Sequence, residues 1–211
     1  KAKNGRYFRS LFFKIEYFKE PLMNIDFLLN TRNWYHDAIN TVVSVGKLIV
    51  LSRGTSPYSA PPSNTCIILG NGPSLSSTFQ EERKSLESFP LIAVNLFSCV
   101  PQFGELKPAY YVFLDGAFAD ENHVNGKKGL DALIANTTWP LQLHVPQSFK
   151  KSTYFKTQVQ QNAFIRVVFF NYTIFEGFTP LKWFFFNKCL AMPQCQNVLQ
   201  AALFQAIQMG F

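Results

Sequence analysis

The chain has 211 residues, of which 47% are hydrophobic and 16% charged, so it can bury the core of one domain with a small accessory piece and is not a disordered tail. Its net charge of +7 suits anionic partners such as nucleotides, phosphates or acidic lipid headgroups, while no RNA- or DNA-binding motif points to nucleic acid. No stretch approaches the roughly 20 apolar residues that span a bilayer, and Lys1-Ala2-Lys3-Asn4-Gly5-Arg6 lacks the apolar core and cleavage site of a secretory signal.

Residues 1–52 read as a helical N-terminal segment, interrupted near Pro21 and Asn30-Thr31. Lys1, Lys3, Arg6, Arg9, Lys14 and Lys19 alternate there with Tyr7, Phe8, Phe12, Phe13, Tyr17 and Phe18. Such a basic, aromatic stretch either lies on an anionic membrane surface or packs its rings on the main domain and solvates its lysines. Asp37 to Leu51 continues the helical spacing with β-branched residues. Residues 53–64, rich in Pro, Ser and Gly, form a linker and the domain boundary.

From residue 65 to 211 the texture is α/β. Thr65-Cys66-Ile67-Ile68-Leu69 is a short apolar strand that runs into Gly70-Asn71-Gly72-Pro73-Ser74 and a helical stretch around Glu81 to Ser88. Leu91–Val94, Ala109–Leu114, Leu141–Val145 and Ile165–Phe170 are further strands, and Asn197–Met209 is a helix before Gly210. Buried strands alternating with helices predict a Rossmann-like, mostly parallel sheet with helices on both faces. Cys66, Cys99, Cys189 and Cys195 form no CxxC pair, which suits reduced thiols in a cytoplasmic protein. The sequons at Asn136 and Asn171 do not alter that expectation.

In such sheets ligands bind beyond the carboxyl ends of the strands. Gly70 to Ser74, Asn95 and Asp115-Gly116 all fall there. A turn from strand to helix presents backbone N–H groups to a phosphate; Gly70 and Gly72 are expected to permit close approach and a positive φ. The turn is neither a G-x-G-x-x-G nor a Walker A loop, and a plain structural turn is the alternative. Asn95 can be a strand-end turn residue, Asp115 a turn cap, and Gln196-Asn197 a helix cap. His144 reads as a core residue and His123 as a loop residue.

Ile67-Ile68-Leu69-Gly70-Asn71-Gly72-Pro73-Ser74-Leu75 resembles the opening motif of the bacterial sialyltransferases that use CMP-activated sugars, and of the 6-hydroxymethylpterin diphosphokinase-like family. Ala93-Val94-Asn95, Tyr111–Asp115, Gln196–Leu199 and Met209-Gly210-Phe211 extend the resemblance over residues 65–211. It implies that Gly70, Asn71, Gly72, Pro73 and Ser74 lie against the nucleotide phosphate. Asn95 would bond the nucleotide or donor sugar, Asp115 and Gly116 would line the cleft, and Gln196 and Asn197 would open the last helix beside the ribose. It also implies that the helix ending at Met209 leads to a further strand with catalytic His or Tyr residues beyond Phe211, so the chain is expected to be truncated at its C-terminus.

The function implied is a glycosyltransferase, with no cofactor and no essential metal. It would move a sugar from a CMP-linked donor onto a bacterial surface glycan or lipid-linked acceptor, in the cytoplasm or at the inner membrane. An ATP- and Mg²⁺-dependent diphosphokinase and a non-catalytic nucleotide-binding module are the alternatives.

Overall fold

The computed structural model describes residues 31–55, 61, 63–70, 72, 83, 84 and 86–211. The basic segment 1–20, Asn71, Pro73 and Ser74 therefore lie outside the described residues.

The first helix, α1 (Thr31–Leu51), precedes five short strands: β1 (Ile67–Leu69), β2 (Leu91–Val94), β3 (Tyr110–Val112), β4 (Leu141–Pro146) and β5 (Ile165–Phe170). Between them run α2 (Gln102–Leu106), α3 (Val124–Asn136) and α4 (Thr153–Val159); α5 (Thr179–Asn187) and α6 (Val198–Met209) follow β5. All four strand pairings are parallel, in the order β1-β2-β3-β4-β5. The predicted α/β class with a parallel sheet is the fold observed. β1 and β3 are shorter than the apolar runs that announce them, although Ala109 and Phe113 still bond the backbone of β4 on either side of β3.

Every strand steps in the same direction across the sheet. Right-handed crossovers then pass on a single face, and α2, α3 and α4 all pack into one core there. That core takes Leu91 and Ala93 from β2, Tyr111 from β3, Leu141, Leu143 and Val145 from β4, and Phe103, Leu130, Leu133, Phe149 and Phe155 from the crossovers. The alternate residues Ile92, Val94, Tyr110 and Val112 face the opposite side. Helices on that side come from outside the strand run: Leu48 of α1, Phe186 of α5, and Ala201, Ala202, Phe204, Ala206 and Met209 of α6 close a second core. Fully burying each of the larger apolar side chains contributes roughly 1.5–3 kcal/mol.

Two glycines decide how close α3 comes to the sheet. A Cβ on Gly126 would stand 1.9 Å from the Ala117 carbonyl oxygen, and one on Gly129 2.7 Å from the Phe118 ring. Phe118 in turn stacks on Phe113 with centroids 4.0 Å apart.

α1 is tied to the far edge of the domain by polar side chains. Ser52 Oγ donates to Thr173 Oγ1 (2.8 Å) or to the Leu190 carbonyl (2.6 Å). Asn171 accepts from Arg53 N (2.9 Å) and donates to the carbonyls of Arg53 and Cys189 (both 2.8 Å). Thr41 Oγ1 and Ser44 Oγ accept from the backbone N–H groups of Phe178 and Glu176. Asn171 is thus buried with its amide hydrogens occupied, which closes that sequon to modification in the folded chain. The four cysteines are free, and burial pushes the Cys66 thiol up to about 11.

Candidate functional site at the carboxyl ends of the strands

The strand register brings the expected residues to one rim. Leu69 pairs with Ala93 and Val94 with Val112, so Gly70 and Asn95 leave neighbouring strands at the carboxyl edge, with Asp115 beyond the third. The strand order does not reverse within the sheet. The chain reverses after β5, when α5 and α6 return over the second face. α6 starts at the carboxyl end of β1, where Leu199 would lie 3.4 Å from a Cβ on Gly70. It ends at the opposite rim, where the Phe211 ring meets Tyr110 at 5.5 Å. The helical residues after the Gly70 turn lead instead to the first core, through Leu86.

Asn95 is the most distinctive residue of this rim. Its backbone is left-handed, with φ 50°, a conformation that costs most residues energy and that Asn tolerates. The backbone is held there from β3: the Tyr111 hydroxyl donates to the Asn95 carbonyl (2.5 Å) and accepts from Ser98 N (2.8 Å). Ser98 Oγ then donates to the Gly129 carbonyl (2.8 Å), which locks the turn to α3. Burial raises the Tyr111 hydroxyl far above the usual tyrosine range, so it remains a neutral donor. While the main chain is fixed, the side-chain Oδ1 of Asn95 is shielded and accepts no hydrogen bond among the described residues. Buried acceptors are nearly always partnered, so this oxygen is the candidate ligand acceptor of the rim.

The remaining expected residues divide. Gly72 and Gly116 are exposed, and a Cβ on Gly116 would meet open space. Asp115 Oδ1 accepts from Ala117 N at 2.9 Å, capping the 3₁₀ turn Gly116–Ala119. Asn197 Oδ1 accepts from Gln200 N (3.0 Å), and the Gln200 side chain accepts from Gln196 N (2.6 Å), so this pair caps α6 next to Gly70. The expectation of a positive φ at Gly70 is corrected: the left-handed glycines described are Gly177 and Gly210. Gly70 continues the strand direction and its missing side chain leaves room for Leu199 instead.

The histidines are structural. His36 is exposed on α1; His123 caps α3 by accepting from Gly126 N at 3.1 Å, an imidazole role that residue type alone did not suggest. His144 is fully buried in β4, bonded to Gln205 and held down to about 4 by burial.

Sequence reasoning missed Gln147, just after β4, whose Oε1 is also shielded without a partner among the described residues. It missed too an open cleft of about 640 Å³ lined by Asp120, Glu121, Asn122, Ser152, Tyr154 and Thr157. This cleft lies beyond β3 and β4, away from Gly70, so it extends the rim rather than coinciding with the Gly70–Asn95 corner. No spacing in the sequence links the loops that form it. Among the described residues no group of three or more His, Cys, Asp or Glu is placed to hold a metal. No family model, curated protein or solved structure matches this chain.

Proposed function

We propose that the chain is the nucleotide-binding core of a glycosyltransferase whose donor is a CMP-linked sugar. The observation that carries the reading is Oδ1 of Asn95, buried and without a hydrogen-bond partner among the described residues, an acceptor suited to a cytosine amino group or a ribose hydroxyl. It stands on a fixed turn at the same rim as Gly70 and the start of α6, whose N-terminal end suits a phosphate.

In the reaction proposed, a base takes the proton of an acceptor hydroxyl and the oxygen attacks the anomeric carbon. The bond from that carbon to the phosphate oxygen breaks, and CMP leaves with its charge held by backbone N–H donors. The cleft beyond β3 and β4 offers hydroxyls and carboxylates for a sugar acceptor. Asp120 and Glu121 in that cleft favour the second reading, a magnesium-dependent diphosphoryl transfer from ATP, in which carboxylates would hold the ion.

Gly72 is exposed, so Gly72→Val should leave the fold intact and obstruct a phosphate at the turn. Calorimetric titration is expected to find CMP affinity reduced about tenfold or more, the scale of one lost phosphate contact. An unchanged affinity in a folded variant would remove this turn from the site.

A further inference from the structure

α1 is amphipathic in the reverse sense for a helix on a protein surface. Its inward side carries Thr41, Ser44 and Leu48, with Val45 packed beside Leu48, and Ser52 follows its last turn; the three hydroxyl residues bond loop groups. Its outward side carries Tyr35, Ile39, Val42, Gly46 and Ile49, spaced by four and three residues, with Val43 and Val50 beside them. Val42 is 72% exposed and Ile49 75%. Surface helices of globular proteins turn this stripe to the core. α5, whose N-cap residue Phe178 meets Trp34 of α1 through a ring contact, also exposes Leu181, Trp183 and Phe184. Exposed apolar surface of this extent marks an interaction surface.

We propose that this outward face of α1, with the exposed residues of α5, docks on an anionic lipid surface. Charge selects this occupant. The residues that precede α1 in the sequence hold Lys1, Lys3, Arg6, Arg9, Lys14 and Lys19, and Lys47 lies on the exposed flank of the helix. An apolar stripe bordered by cations is the pattern that lies in the plane of an acidic bilayer, and adjacent basic residues strengthen the attachment. Trp34, Tyr35 and Trp183 are the ring types that favour the membrane–water boundary. A second copy of the chain is disfavoured by charge, since two molecules of net charge +7 would repel. α1 does not cross the bilayer: no described helix is long and apolar enough to do so. The proposal does not depend on the nucleotide reading.

The test is co-sedimentation of the full chain with vesicles of phosphatidylcholine and phosphatidylglycerol, against phosphatidylcholine alone, over a salt series. Binding is expected to the mixed vesicles and to fall steeply with salt. The double variant Val42→Ser, Ile49→Ser removes two side chains already exposed in the free chain, so its thermal melt should match the parent. Its vesicle affinity should drop on the order of a hundredfold, about tenfold for each side chain withdrawn from lipid. Failure of the parent to bind acidic vesicles at low salt would overturn the proposal, as would binding indifferent to the double variant. A dimer in solution that the same two changes dissociate would overturn it in favour of an interface between copies.

Discussion

Replacing Asn95 by glycine separates a structural part for this residue from a ligand-binding one. At φ 50° a non-glycine residue bears a cost of up to roughly 1–2 kcal/mol, less for Asn, which glycine relieves. Glycine in turn gives back roughly 0.5–1 kcal/mol in unfolded-state freedom. The Tyr111 hydroxyl bonds the Asn95 carbonyl, which glycine keeps, and the side-chain Oδ1 has no partner among the described residues to lose. Stability measured by urea unfolding should therefore change by less than about 1 kcal/mol, the near-cancellation of those two effects. Ligand binding should behave differently. Loss of a buried hydrogen bond to the nucleotide costs roughly 1–3 kcal/mol, so CMP affinity by calorimetry should fall between about tenfold and a hundredfold. A glycine variant that is equally stable and binds CMP as well as the parent would refute the reasoning. So would one that loses stability and affinity together.

Gly126→Ala should destabilise by about 3 kcal/mol, since its Cβ would meet the Ala117 carbonyl at 1.9 Å; Gly46→Ala, with nothing within 4 Å, should raise stability by about 0.5–1 kcal/mol. Thermal melts of the two variants check both signs, and equal effects would contradict the close approach of α3. His144 gives a pH dependence: burial holds its folded value at about 4 against 6.5 when unfolded. The unfolded chain binds the proton first, so stability is intact above 6.5 and falls as pH drops from 6.5 towards 4. Urea unfolding at pH 5 should show a loss of roughly 2 kcal/mol relative to pH 7. His144→Gln should abolish that slope, and a slope that persists would place its source elsewhere.

The strands were legible because a parallel sheet covered on both faces demands short apolar runs, and Leu91–Val94 and Ile165–Phe170 match the observed elements end for end. The last helix was legible through its punctuation, Asn197 before it and Gly210 after. α3 was not, because its first turns hold Gly126, Lys127, Lys128 and Gly129, residues chosen for close approach to the 3₁₀ turn rather than for helical periodicity. The inverted α1 was invisible for a related reason: periodicity reveals a stripe but not which side it faces, and only the bonds from Thr41, Ser44 and Ser52 fix that. At the candidate site, residue type pointed to the rim, yet the Asn95 backbone is held by Tyr111, distant in sequence and adjacent in space. Gln147 had no signal at all.

The central claim is that the rim at Gly70 and Asn95 holds a cytidine nucleotide, and calorimetric competition on the parent chain tests it most directly. CMP, UMP, GDP and ATP would each be titrated with and without Mg²⁺. The account predicts that CMP binds best, that binding is indifferent to magnesium, and that the purine nucleotides bind weakly. Tight, magnesium-dependent binding of ATP in preference to CMP would contradict it and leave the diphosphoryl-transfer reading in its place.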